Sequence, residues 1–157
     1  MVTPLCCKVL EVLRTQNKTL VTAESLTGGG IGNALTSIPG ASQVYKGGVI
    51  SYVNAVKRDL LEVPQAILDR CGAVSPETAE AMALGVRKLL KADVAVSVTG
   101  LAGPGGDEFG HPVGTVYIGF CCGQNTLVKH CRFTGSREEI RYQTIRTALE
   151  LILEQLS

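Results

Sequence analysis

Apolar residues recur along this chain with two periods, and the switches between them mark out its elements. Leu5, Val9, Val12 and Leu13 share one side of a helix predicted over residues 4–16, with Pro4 near its start. The β-prone run Thr19 to Ala23 predicts a first strand over 18–24. Ile31, Leu35 and Ile38 then return to helical spacing, so a tight turn and a short helix occupy about 25–38. Pro39 to Ser42 read as a turn. Residues 43–53 read as a strand or hairpin bent at Gly47-Gly48. Asn54 is the expected cap of a short helix running to Glu62, and Pro64 starts a further helical piece that ends at Gly72.

The second half is more sharply punctuated. Ser75-Pro76-Glu77 combines an N-cap, a proline at the first helical position and an acid in the first turn, which predicts a helix to about Lys91. Asp93 to Thr99 is a run of small apolar residues, the pattern of a strand buried on both faces. Gly100 to Pro112 form a Gly/Pro-rich loop. Two strands, 113–122 and 126–133, follow around Gly123-Gln124-Asn125. Ser136 to Glu139 spell a capping box that opens a last amphipathic helix. Helices and strands alternate early and two strands stand adjacent late, so the fold class is α/β, a mixed sheet between helices. At 157 residues the chain is expected to be one domain, 1–157.

Composition narrows the function classes. Fifteen basic residues balance 14 acidic ones for a net charge of +1, which argues against a dedicated nucleic-acid binder. Three Phe, four Tyr and no Trp leave little for a base-stacking platform. No apolar run is long enough to span a membrane. The six cysteines include the adjacent pairs Cys6-Cys7 and Cys121-Cys122 and no C-x-x-C, so they read as thiols of a reducing, cytoplasmic setting, mostly in the core.

Candidate chemistry centres on Thr22-Ala23-Glu24-Ser25-Leu26-Thr27-Gly28-Gly29-Gly30, a strand running through a turn into a helix. Such a turn exposes N–H groups without intrahelical partners, suited to an oxyanion or a phosphate. Ser25 there is a candidate nucleophile; the competing reading makes Ser25 or Thr27 a simple cap. A serine needs a base at neutral pH, and a neutral Lys57 can be one, with the Tyr52 hydroxyl holding or passing a proton. Thr99 to Gly106 follow the buried strand at the edge where α/β sheets bind ligands, and the glycines among them let backbone approach a substrate closely. Gly135-Ser136-Arg137, with Arg141 one turn on, put an arginine at a helix N-terminus, a place that suits a phosphate.

Five motifs in order, Thr22 to Gly29, Tyr52 to Lys57, Gly72 to Ser75, Ser97 to Gly105 and Pro112 to Val116, resemble the CinA C-terminal domain family across nearly the whole chain. The resemblance implies a three-layer α/β/α domain and a cytoplasmic, homo-oligomeric amidohydrolase of pyridine-nucleotide salvage. Its substrate would be nicotinamide mononucleotide, hydrolysed to nicotinate mononucleotide and ammonia without cofactor, metal, nucleic acid or membrane. The family's catalytic serine, tyrosine and lysine fall on Ser25, Tyr52 and Lys57. Substrate contacts are expected from Thr27, Gly28 and Gly29, from Ala102, Gly103, Gly105 and Gly106, and from Arg137 or Arg141 on the 5′-phosphate. The alternative is a non-catalytic regulatory or binding module in competence or the DNA-damage response, as the family's name suggests.

Two positions depart from the family: Leu26 stands where a cysteine is common, and Ser136 where an aspartate is common. The metal-dependent N-terminal domain of longer members, linked to ADP-ribose hydrolysis, lies outside these 157 residues, and that activity is not carried over. Two other readings fail on spacing. A short-chain dehydrogenase needs wider glycine spacing and a Tyr and Lys four apart, whereas Tyr52 and Lys57 are five apart. Asp107, Glu108 and His111 share one loop with only His130 elsewhere, a weak ligand set for a metal.

Overall fold

The computed structural model describes residues 1–157. Five strands form one mixed sheet: β1 (Leu20–Glu24), β2 (Tyr45–Ile50), β3 (Val94–Gly100), β4 (Thr115–Cys122) and β5 (Asn125–Arg132), in the spatial order β2-β1-β3-β4-β5. β2, β1 and β3 run parallel, and β4 and β5 complete the sheet antiparallel, as the adjacent strand pair predicts. Helices α1 (Thr3–Thr15), α2 (Gly30–Thr36) and α6 (Arg137–Leu156) pack together on one face. The other face is covered by α4 (Gln65–Cys71) and α5 (Pro76–Leu90), and α3 (Asn54–Asp59) follows β2. The result is a three-layer α/β/α sandwich.

The continuous apolar strand predicted from Asp93 is β3, and its alternation explains the two cores. Val94, Val96 and Val98 belong to the larger core under α1, α2 and α6. Ala95 belongs to the smaller core under α5, and the Ser97 hydroxyl donates to the Ala79 carbonyl of α5 at 2.6 Å. A strand covered on both sides cannot alternate apolar with exposed polar residues, so it reads as an unbroken run. Ser75 caps α5 by accepting from the Thr78 N–H, and Ser136 with Glu139 forms the predicted capping box of α6.

Of the two readings of residues 43–53 the strand holds: residues 45–50 form a single strand, and the bend at Gly47 is a register shift that pairs Leu20 with Tyr45 but Val21 with Gly47. Gly47 adopts φ 145°, where a residue with a Cβ is strained. Asn54 is the first residue of α3, and the cap position falls to Val53.

The topology decides where chemistry can sit. The carboxyl ends of the three parallel strands release Ser25, Ser51 and Leu101 at one edge of the sheet. The β5-to-α6 connection brings the α6 N-terminus to the same edge, where Phe133 N–H donates to the Gly114 carbonyl. No helix is long and apolar enough to cross a membrane.

Candidate active site

Ser25 is fixed by the sheet itself. Its N–H donates to the Val98 carbonyl of β3, and on the other side the Ser51 N–H donates to the Glu24 carbonyl. Beyond it the chain turns sharply, and the Gly28 N–H donates back to the Ser25 carbonyl at 3.0 Å. The Glu24 carboxylate, buried under α2, shapes this turn. One of its oxygens accepts from the Thr27 hydroxyl at 2.6 Å and the Ile31 N–H at 2.8 Å, and the other accepts from the Gly32 N–H at 3.0 Å. An anion at a helix N-terminus meets both unpaired donors and the helix dipole. Glu24 escaped the sequence reading, although an acid shortly before a Gly-rich helix start is the signal for it.

Lys57 reaches Ser25 from α3. It is only 1% exposed. Its Nζ lies 3.1 Å from Ser25 Oγ and donates to the Ser51 carbonyl at 2.6 Å and the Tyr52 carbonyl at 3.4 Å. No carboxylate pairs with it, and burial disfavours the ammonium, drawing its pKa down to about 8. Two carbonyls and one hydroxyl satisfy either form: the ammonium donates to all three, and the neutral amine donates to the carbonyls and accepts from the hydroxyl.

Tyr52 behaves differently from expectation. Its phenol makes no hydrogen bond to Ser25 or Lys57; instead Arg137 Nη2 donates to it at 3.1 Å. Arg137 Nη1 donates to the Gly103 carbonyl at 2.6 Å, so one guanidinium ties α6 to the 101–106 loop and to Tyr52.

These groups line a single cavity of about 620 Å³. Ser25, Tyr52, Lys57, Ala102, Gly103, Gly105, Gly106 and Arg137 all face it, within the size range of small-molecule sites. Thr27, Gly28 and Gly29 do not line it, because Thr27 is bonded to Glu24 and Gly28 to Ser25. Arg141 does not line it either: its Nε donates to the Leu26 carbonyl at 2.9 Å and its Nη2 to the Thr27 carbonyl at 3.3 Å, bracing the turn from behind. Leu26 does face the cavity, and its N–H, next after Ser25, has no protein acceptor.

The far wall is the 107–111 loop, which sequence reasoning treated only as a weak metal motif. Asp107 Oδ2 lies 2.6 Å from His111 Nδ1, and Oδ1 accepts from the N–H groups of Phe109 and His111. Partial burial raises the Asp107 carboxyl, but the bonds from His111 outweigh it and hold the group below the usual range.

Fold and site together define an α/β/α domain with a buried serine–lysine pair in a cleft beyond the carboxyl edge of its sheet. A profile of the CinA C-terminal domain matches residues 3–156. The chain is 47% identical over 150 residues to a CinA-like protein of Synechococcus sp. strain RCC307, covering 94% of this chain and 36% of that protein. It is 45% identical over 146 residues to a CinA-like protein of Desulfotalea psychrophila, covering 93% and 35%. The crystal structure of a CinA superfamily protein from Klebsiella pneumoniae superposes with a TM-score of 0.97 at 33% identity, covering 99% of this chain and 98% of the other. That of a competence/damage inducible protein from Agrobacterium tumefaciens gives 0.94 at 41% identity, covering 99% and 94%. The chain belongs to the CinA C-terminal domain family. It spans little more than a third of the length of the two CinA-like relatives.

Proposed function

We propose that this domain hydrolyses the carboxamide of nicotinamide mononucleotide to nicotinate mononucleotide and ammonia. One observation carries the reading: a lysine without a carboxylate partner, buried, with its Nζ 3.1 Å from the hydroxyl of a serine that faces a cavity.

The reactive form is the one in which Lys57 has lost its proton, a form that grows as pH rises toward and past about 8; in it Ser25 donates its hydroxyl proton to Nζ. Ser25 Oγ attacks the carboxamide carbon as that proton passes to Lys57. The oxyanion is met by the Leu26 N–H and by N–H groups of the 102–106 loop, which line the cavity where the turn glycines do not. Lys57 returns the proton to the leaving nitrogen, and ammonia departs. Water then adds to the nicotinoyl ester with Lys57 again as base, releasing nicotinate mononucleotide and restoring Ser25. Tyr52, held by Arg137 at the cavity wall, presents its phenol to bound substrate. Arg137 lines the cavity and Arg141 does not, which supports assigning the 5′-phosphate to Arg137.

The test is incubation of the purified chain with nicotinamide mononucleotide, with ammonia and deamidated nucleotide both measured. Equal release of both, abolished in Ser25→Ala with an unchanged circular dichroism spectrum, is the expected result. Absence of both products from the native chain refutes the proposal.

A further inference from the structure

Phe109 is an aromatic side chain with no place in either core, and it is 41% exposed in the wall of the cavity that holds Ser25. Its position is nonetheless fixed. The backbone N–H donates to Asp107 Oδ1 at 3.2 Å, and Asp107 is itself knotted to His111. The ring rests on Gly72, the residue that ends α4: a Cβ there would stand 2.6 Å from Cε2, 2.8 Å from Cδ2 and 3.3 Å from Cζ. A glycine with φ 80° therefore makes room for one side of the ring, and the remainder is left to the cavity. A half-exposed aromatic held rigidly in a binding cleft offers a flat apolar surface at little entropic cost.

The charges in the same wall have a direction. Asp107 and Glu108 line the cavity beside Phe109, while Arg137 lines it beside Tyr52. A ligand with a cationic flat ring at one end and an anion at the other matches that polarity, because cations are drawn both to carboxylates and to aromatic faces.

We infer that Phe109 is a specificity-determining residue, forming with Asp107 and Glu108 a subsite for a cationic heteroaromatic ring. This deepens the proposed function and rests on it, since the pyridinium ring of nicotinamide mononucleotide is the ring in question. The subsite selects amides carried on a flat positive ring over aliphatic or neutral ones. Phe109 touches the ring and leaves proton transfer to Ser25 and Lys57.

The experiment separates the subsite from the chemistry. Ser25→Ala in the full chain prevents turnover, so binding of nicotinamide mononucleotide is read by calorimetry, with Phe109→Leu and Phe109→Tyr added to that background. Phe109→Leu is expected to weaken binding about tenfold, within the range of a desolvated cation–π contact. Phe109→Tyr is expected to restore it to within about twofold, with thermal unfolding the same in both. Unchanged binding in Phe109→Leu, equal loss in both variants, or no binding to the Ser25→Ala chain overturns the inference. Turnover by the native chain is assayed alongside. Phe109-dependent binding without turnover refutes the amidase and keeps the subsite. Turnover with Phe109-independent binding does the reverse.

Discussion

Arg141 and Leu26 lie 115 residues apart in the chain, yet the guanidinium Nε of one donates to the carbonyl of the other at 2.9 Å. A second bond from the same guanidinium reaches Thr27. The long C-terminal helix thus holds the turn that carries Ser25. Arg141→Ala removes two charge-assisted bonds and is expected to destabilise the chain by about 1–3 kcal/mol. Because the arginine steadies the proposed nucleophile and lines no part of the cavity, kcat should fall by more than KM rises. Steady-state kinetics with urea unfolding checks both; a rise in KM alone would assign Arg141 to substrate instead.

Lys57 sets the pH dependence of the proposed reaction. With its pKa drawn down to about 8 by burial, kcat/KM should rise with pH and level off above that value. Lys57→Arg keeps a cation that does not release its proton, so it should be as inactive as Lys57→Ala. A pH–rate profile that stays flat from 6 to 9.5 would remove Lys57 from proton transfer.

The same shift affects stability, with a defined sign. Free lysine titrates near 10.4, so below pH 8 the folded chain holds a buried ammonium at a cost of about 3 kcal/mol. Between pH 8 and about 10.4 the unfolded chain binds more protons than the folded one, and stability gains with rising pH. Lys57→Met lacks this term. Its stability relative to the native chain should therefore be highest below pH 8 and should decline steadily across that window, as measured by denaturant unfolding at fixed ionic strength.

Glu24→Gln tests the buried cap. Three donors converge on the carboxylate, and an amide would turn its NH2 toward one of them. A loss of about 1–3 kcal/mol is expected. A Glu24→Gln chain of native stability would show that the carboxylate is dispensable to the turn.

Tyr52 and Arg137 should act as a unit. Their side chains are in direct contact at 3.1 Å, so Tyr52→Phe and Arg137→Ala are expected to be non-additive in kcat/KM by about 0.5–3 kcal/mol. A double-mutant cycle that closes to zero would uncouple them.

The fold was legible in the sequence wherever one element carried its own signal. The unbroken run of β3, the Ser75-Pro76 start of α5 and the Ser136 capping box each name their structure locally. The bend at Gly47 was visible, but a bulge in a parallel strand and a hairpin turn share the same glycine signal, and pairing with β1 decides between them. In the site, Ser25 and Lys57 were readable as residues that come together, and their side chains meet at 3.1 Å. The phenol of Tyr52 was misplaced because its partner, Arg137, lies 85 residues away, a distance at which side-chain periodicity says nothing. The turn glycines look like an anion cradle by type. Glu24 already sits at the helix entrance, taking the Ile31 and Gly32 N–H groups, while those of Gly28 and Gly30 go to the Ser25 and Thr27 carbonyls.

The two ends of this sheet are unequal. At the carboxyl edge of the parallel strands, four segments far apart in the chain must meet before Ser25 has Lys57 beside it and a cavity to face. At the opposite edge, the chain passes through Asn17 between α1 and β1, Lys91 between α5 and β3, and the Gly123-Gln124 turn between β4 and β5. Asn17, Lys91 and Gly123 all adopt left-handed backbone angles suited to tight connections, and none of the three lines the cavity. Extra sequence grafted into those connections would leave the cleft its full complement of walls. The same graft at 51–54 or 101–109 would part the walls of the cavity.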